Sequence, residues 1–288
     1  MSFKKLLLII LTICTFQASK SDVIFFDLVD TLVYVKKFQI LNYIGKMNVF
    51  KHFCNTFNWR HPLTFKEYMQ QRYFEGLAAI NYQSKVAYEC YSDDGITPLP
   101  PLLKDFMVGA ITSNQAKQIC QKWSQNKNNT FFKTDIEREI FEKTFDSTFN
   151  PNYFVGFLSS LDSTISVLKK CKQEVDTRGN KRHICIVLSN FAQECVEPFK
   201  QKFNTEIAPY IDYWIFSCDG HGAKPSSSIY DYCYDIICNK FPQQKNKQRF
   251  FIDDQKVNRD AAEKIKHPFI CAHPNQAAFM LHQYGVIS

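Results

Sequence analysis

Five short apolar runs constrain this chain more than any other feature. Val23–Phe26, 184–188, Tyr213–Phe216, 250–252 and 269–271 are hydrophobic without polar alternation. A strand that faces water on one side alternates; a strand buried on both faces does not, and that is the mark of a parallel sheet. Helical patterns fall between and after the runs, at 157–172, 192–203, Ser227–Lys240, 258–264 and 276–284. Parallel strands need long crossovers, usually helices. The alternation therefore predicts an α/β fold: a doubly wound parallel sheet with helices on both faces.

The stretch 37–152 breaks this rhythm. It has no comparable strand runs, but helix-like segments at 64–77 and 136–145, punctuated by Pro98, Pro100 and Pro101. With 288 residues the chain can hold a sheet core of 21–36 and 153–288 and a mainly helical insertion between them. Phe numbers 27 and Tyr 14, so aromatic packing is plentiful. Trp59, Tyr68, Tyr73 and Phe74 in the insertion can line a pocket or fill a core, and filling a core is the commoner use.

Residues 1–18 carry an address. Lys4 and Lys5 precede an apolar run of 11 residues, Leu6 to Phe16, and Ala18 and Ser19 follow. A run this length falls short of the ~20 residues that span a bilayer. Its layout is that of a cleaved secretory signal, which implies export to a periplasm or to the outside and no stable membrane span in the mature chain. One of the 11 cysteines, Cys14, lies in this leader, leaving an even number downstream that permits disulfides without specifying them. No C-x-x-C spacing is present, which argues against a structural zinc. Net charge is +7, but no block of basic residues forms; the cationic stretches at 117–127 and 243–249 are diluted by Gln and Asn. They read as solvated faces, and nucleic acid is not expected as a partner. Oligomeric state is left open.

Four motifs sit at or just beyond the C-terminal ends of four apolar runs, the edge of an open α/β sheet where ligands bind. They are Asp27-Leu28-Val29-Asp30-Thr31, then Ser189-Asn190, then Lys224-Pro225, then Asp253-Asp254 followed by Asn258. Each residue type suits phosphoryl transfer. A strand-end carboxylate can attack phosphorus in line. A hydroxyl and an amide can hold phosphate oxygens. A lysine neutralises charge, and paired acids supply the hard oxygens that Mg²⁺ prefers. Singly, an Asp or Ser-Asn after a strand is a helix cap or turn former. The four in order form the signal.

In these motifs the chain resembles the haloacid dehalogenase-like hydrolases, over nearly all of its length from Val23 to about Ile287, with 37–152 in the place of the helical cap. The resemblance implies a Mg²⁺-dependent phosphatase or phosphotransferase acting on a small phosphorylated substrate through an aspartyl phosphate on Asp27. It implies catalytic parts for Thr31, Ser189 and Lys224. It implies substrate contacts from Ser189, Asn190 and Lys224, and metal contacts from Asp27, Val29, Asp253 and Asp254. Asp254 is expected to ligate directly and Asp253 to support it. Asn258 and Asp260 are expected to be structural.

One position departs from the family. Its phosphatases carry a second Asp two residues after the nucleophile as general acid and base, and here that residue is Val29. The Val29 carbonyl can still face a metal, but its side chain can neither protonate a leaving group nor activate water, help worth roughly 10²–10⁴-fold. Asp30 either takes over that task or lets the loop turn, a conformation Asp tolerates. Two other readings stay open: a binding protein on the same scaffold that has lost turnover, and a dehalogenase or phosphonatase. His52, His61 and His221 are candidates for a substrate or proton-transfer role, and His221 lies closest to the Lys224 motif, between two glycines.

Overall fold

The computed structural model describes residues 22–46, 49, 65–92, 96–175 and 182–288. The leader, Trp59, His52 and His61 lie outside these residues. β1 (Val23–Phe26) is the middle of a five-stranded sheet. The others are β4 (Ile184–Ser189), β5 (Tyr213–Phe216), β6 (Arg249–Ile252) and β7 (Ile270–Ala272). Their order is β5-β4-β1-β6-β7 and every pairing is parallel. The chain first builds outward from β1 to β5, then crosses back to build β6 and β7 on the other side. β1 therefore stands at the switch in winding direction, where loops part and leave a crevice.

The apolar runs lack alternation because both faces of the sheet are covered. Ile24 and Phe26 point into one buried cluster, Val23 and Phe25 into the other. The first is closed by α7 (Asp162–Gln173), α8 (Gln193–Lys202) and α11 (Ala277–Gln283), through residues such as Leu168, Phe199 and Leu281. The second is closed by α9 (Ser227–Lys240) and α10 (Lys256–Lys264), through Ile229, Tyr230, Ile237 and Ala262. Burying a side chain such as Phe25 or Leu168 is worth roughly 1.5–3 kcal/mol. The expected doubly wound sheet is what these residues build.

A helical cap interrupts the core after β2 (Val33–Val35). It contains α1 (Lys37–Ile44), α2 (Phe65–Ala79), α3 (Pro101–Met107), α4 (Ser113–Ser124), α5 (Asp135–Phe149) and α6 (Pro151–Gly156). The starts of its helices are written in the sequence. Thr112 makes a capping box with Gln115, Thr134 caps α5, and Asn150 caps α6 with Pro151 in the first turn. The Pro98–Pro101 region marks the start of α3. Trp123, Phe131, Phe132, Phe141 and Phe145 interlock largely edge to face with centroids 5.1–6.2 Å apart. These five cap aromatics are therefore core. Tyr73 joins them, packing on Phe145 and donating its hydroxyl to Thr148 at 2.8 Å.

One boundary differs from the sequence reading. The helix expected over 157–172 starts only at Asp162, because the preceding residues form β3 (Leu158–Ser160), antiparallel to β2. This two-stranded ribbon carries the chain into the cap and out again. The helical segment thus runs to Gly156 rather than to 152. Cap and core share one apolar cluster, and polar contacts add to it. Lys202 donates to the carbonyls of Val155, Gly156 and Leu158 at 2.8, 2.7 and 2.7 Å, gathering the free end of α6. Glu194 accepts the Ser113 amide, and Ser217 donates to the Met107 carbonyl at 3.1 Å. No helix among the described residues is long and apolar enough to cross a membrane.

Candidate active site

The site begins with one hydrogen bond past the end of a strand. The Asp27 amide donates to the Ile252 carbonyl at 2.9 Å, carrying the β1–β6 ladder one residue further. That bond sets Asp27 beside Asp253 and Asp254, which follow β6 directly. Beyond Asp27 the chain folds back sharply: the Leu28 carbonyl takes the amides of Leu32 and Val33 at 2.8 and 2.9 Å. Asp30 makes the reversal possible with a φ of 57°. Thr31 is packed inside this turn, fully buried, and its hydroxyl finds no hydrogen-bond partner. It does not line the cavity above Asp27.

Lys224 arrives from the loop after β5. Gly222 lies in that loop at φ 101°, and a Cβ there would collide with Ser228. Asn190, just after β4, holds the lysine's backbone from both sides: it accepts the Lys224 amide at 2.9 Å and donates to the Lys224 carbonyl at 2.9 Å. Expected at the substrate, Asn190 spends its side-chain oxygen on placing Lys224, although it also borders the cavity. The Lys224 ammonium, buried, lies 2.8 Å from Asp27 Oδ1 and 2.6 Å from Asp253 Oδ2. Burial by itself would lower the lysine's pKa, but Asp253 and Asp27 together raise it, so it stays charged.

Asp253 and Asp254 divide their work. Asp253 is fully buried, and its oxygens receive Lys224, the Gln255 amide at 2.8 Å and Asn258 Nδ2 at 3.1 and 3.2 Å. With its lone pairs occupied it is a support, and Asn258 supports it in turn. Asp254 is half-buried and faces the cavity. Burial first, then Asp27 and Asp253 beside it, push its carboxyl up to about 8. Asp260 turns to Lys256 on the outside of α10. Ser189 lines the cavity at the end of β4 and is nearly buried. Val29 and Asp30 also border it. His221 is exposed, stacked on Tyr232 at 3.6 Å, and away from the cavity.

An oxygen from each of Asp27, Asp253 and Asp254 lies within 4.8 Å of the others. Three carboxylates against one ammonium leave two negative charges in a poorly solvated place. Like charges this close cannot all ionise without a counter-charge. A divalent cation with a taste for oxygen would supply it, and the donor set fits Mg²⁺. Asp27 and Asp254 are the carboxylates with room to hold it, and the Val29 carbonyl is a further candidate.

Sequence reasoning missed several residues. Arg259, one turn into α10, donates to the carbonyls of Asp253 and Asp254, both at 2.6 Å, and so fixes the acidic loop. The cap residues Leu99, Leu103 and Phe106, which roof the cavity with Phe74, carried no signal separating them from ordinary core.

No family model matches this sequence, and no curated protein matches it. Known structures do. A HAD-family enzyme of Bacteroides thetaiotaomicron aligns over 92% of this chain and 98% of its own, with 12% identity and a TM-score of 0.51. That enzyme has also been solved in complex with magnesium and inorganic phosphate. The HAD-hydrolase YfnB of Bacillus subtilis aligns over 92% and 99% at 12% identity and a TM-score of 0.46. L-2-haloacid dehalogenase of Xanthobacter autotrophicus aligns over 88% and 76%, again at 12% identity, with a TM-score of 0.45. The chain has the fold of the haloacid dehalogenase-like hydrolases.

Proposed function

We propose that this chain is a Mg²⁺-dependent phosphohydrolase or phosphotransferase that works through a phosphorylated Asp27. The observation that carries the reading is the meeting of Asp27, Lys224 and Asp254 at one rim, from loops far apart in sequence. Asp27 ends β1 with its carboxylate on the cavity, placed to attack phosphorus. Lys224 holds that carboxylate in position and neutralises charge as it builds on the phosphoryl oxygens. Ser189 can hold one of those oxygens from the end of β4. Bound Mg²⁺ would add Lewis-acid polarisation of the phosphoryl group, held by Asp27, Asp254 and the Val29 carbonyl. The cap covers the site and excludes water. Release of phosphate from a panel of esters, with and without Mg²⁺, tests this, and Asp27→Asn is the control. Turnover unchanged in that variant removes Asp27 from the mechanism.

Val29 favours a second reading, a scaffold that binds phosphorylated ligands without turning them over. Val29→Asp separates the two. A large gain in rate means the site lacked one group only; a variant that binds Mg²⁺ and stays inert on every ester supports the binding protein. We further propose that residues 1–18 direct export. The nine described cysteines downstream are all free thiols. N-terminal sequencing of the native chain decides the matter, since a chain that keeps Met1–Ala18 is not processed for export.

A further inference from the structure

The cavity above Asp27 has a volume of about 290 Å³. Away from the carboxylates its wall is largely apolar, with Phe74, Leu99, Leu103, Phe106, Phe154 and Phe191 outweighing the polar Tyr91, Ser92 and Gln255. An apolar cavity of roughly 150 Å³ takes one benzene ring. The space therefore suits a phosphoryl group and about one ring. Among the described residues Lys224 is the only cationic side chain in the wall, and Asp27 and Asp253 already engage it at 2.8 and 2.6 Å. A second phosphate or carboxylate on the substrate would be held there without a cationic partner. The Thr148 hydroxyl in the wall is also spent, donating to Thr144 and accepting from Tyr73.

Val29 points the same way from a different direction. With no acid at that position, and with Asp30 given to the turn at φ 57°, the leaving group departs unprotonated. A phenol ionises near 10, as tyrosine does, whereas an alkanol, like water, ionises only far above that. Only the first makes a tolerable leaving group without help.

Building on the Asp27 reading above, we propose that the site takes small aryl phosphate monoesters bearing no second anionic group, and that such esters phosphorylate Asp27 faster than water clears it. In the first step a carboxylate oxygen of Asp27 bonds to phosphorus. The phosphorus–aryloxygen bond breaks, the electron pair leaves with the phenolate, and solvent protonates it. In the second, water attacks phosphorus and gives its proton to solvent. The phosphorus–Asp27 bond breaks, returning the carboxylate and inorganic phosphate. Lack of acid and base spares the first step and slows the second.

The test uses the full chain with Mg²⁺ and three probes: phenyl, ethyl and 4-carboxyphenyl phosphate. Rapid quench is expected to show a burst of phenol approaching one per Asp27. Ethyl phosphate is expected to give kcat/KM lower by at least ~10²-fold. The carboxylated ring is expected to raise KM tenfold or more with kcat unchanged. Aryl esters are intrinsically more reactive, so Val29→Asp supplies the control: it should abolish the burst and narrow the aryl–alkyl gap at least tenfold. Ethyl phosphate turned over as well as phenyl through Asp27, or 4-carboxyphenyl phosphate bound as well as phenyl, overturns the substrate class and leaves the Asp27 reading standing. Phenyl phosphate turnover that survives Asp27→Asn overturns both.

Discussion

The two rims of the sheet both bury charge, and they treat it in opposite ways. At the N-terminal rim Lys172 donates to Asp212 at 2.9 and 2.6 Å and to the His183 carbonyl at 3.3 Å. Asp212 also takes the Cys185 amide at 2.8 Å, and His183 Nδ1 takes the Asp22 amide at 3.2 Å. Lysine meets one carboxylate, the histidine is kept neutral, and a second carboxylate, buried Asp22, lies 3.9 Å from that histidine. At the C-terminal rim three carboxylates face one lysine. A matched set tightens the fold and needs nothing from outside. An unmatched set costs the empty protein stability and is kept only where a ligand completes it.

Substitution breaks this contrast most directly. Asp27→Asn should lower turnover at least ~10³-fold, as loss of a nucleophile does, with thermal stability unchanged or raised because one unmatched charge is gone. Lys172→Met takes the ammonium away from Asp212, whose side chain is 23% exposed and keeps the Cys185 amide and water. It should cost about 1.5–3 kcal/mol and lower Tm by roughly 3–12 °C, while kcat per folded molecule stays at the wild-type value. Calorimetry paired with steady-state kinetics reads both. Equal destabilisation by the two variants would mean that the rims are ion clusters of one kind.

Acid should act on the matched rim through His183. Burial, then Arg182, lowers its pKa from the usual 6.5 to about 4. Between these values the unfolded chain binds a proton that the folded chain refuses. Stability is thus full above pH 6.5, falls as pH drops toward 4, and has no further contribution below that. The whole effect is about 3 kcal/mol. Urea titrations across this window, compared with His183→Gln, isolate it from the carboxylates. A variant whose stability slopes as steeply as wild type would clear His183 of the role.

A smaller effect sharpens the other side. Mg²⁺ at about 100 times its Kd should stabilise the chain by roughly 2.7 kcal/mol, a Tm rise of roughly 5–11 °C. Lys172→Met should keep that rise and Asp254→Asn should lose it. A shift that persists in Asp254→Asn would place the cation elsewhere.

Much of this division was legible in the sequence, for a physical reason. The five sheet strands announced themselves because burial on both faces removes alternation, and Asp27, Ser189 and the Asp253–Asp254 pair were found because each follows such a run. β3 was missed because three residues with two serines make no run; its order comes from pairing with β2 outside the main sheet. The partners within the site were missed for a related reason. That Asn190 clamps Lys224, and that Asn258 and Gln255 saturate Asp253, depends on loops meeting in space. Leu103 and Phe106 share one short helix with buried Leu102. Helical spacing marks all three as apolar without telling a roof from a core.

Asp30 offers the finest test, because it borders the unmatched rim and also shapes it. Its φ of 57° is a left-handed conformation that costs most L-residues about 1–2 kcal/mol and Asp rather less. If its task is the turn alone, Asp30→Gly should gain up to about 0.5 kcal/mol and leave kcat within twofold. Asp30→Val should lose at least about 1 kcal/mol, since a branched side chain resists that backbone. Denaturant midpoints and kcat on the same preparations give both numbers. A fall in kcat of ~10²-fold or more in a stable Asp30→Gly protein would instead make Asp30 the acid and base that Val29 cannot be.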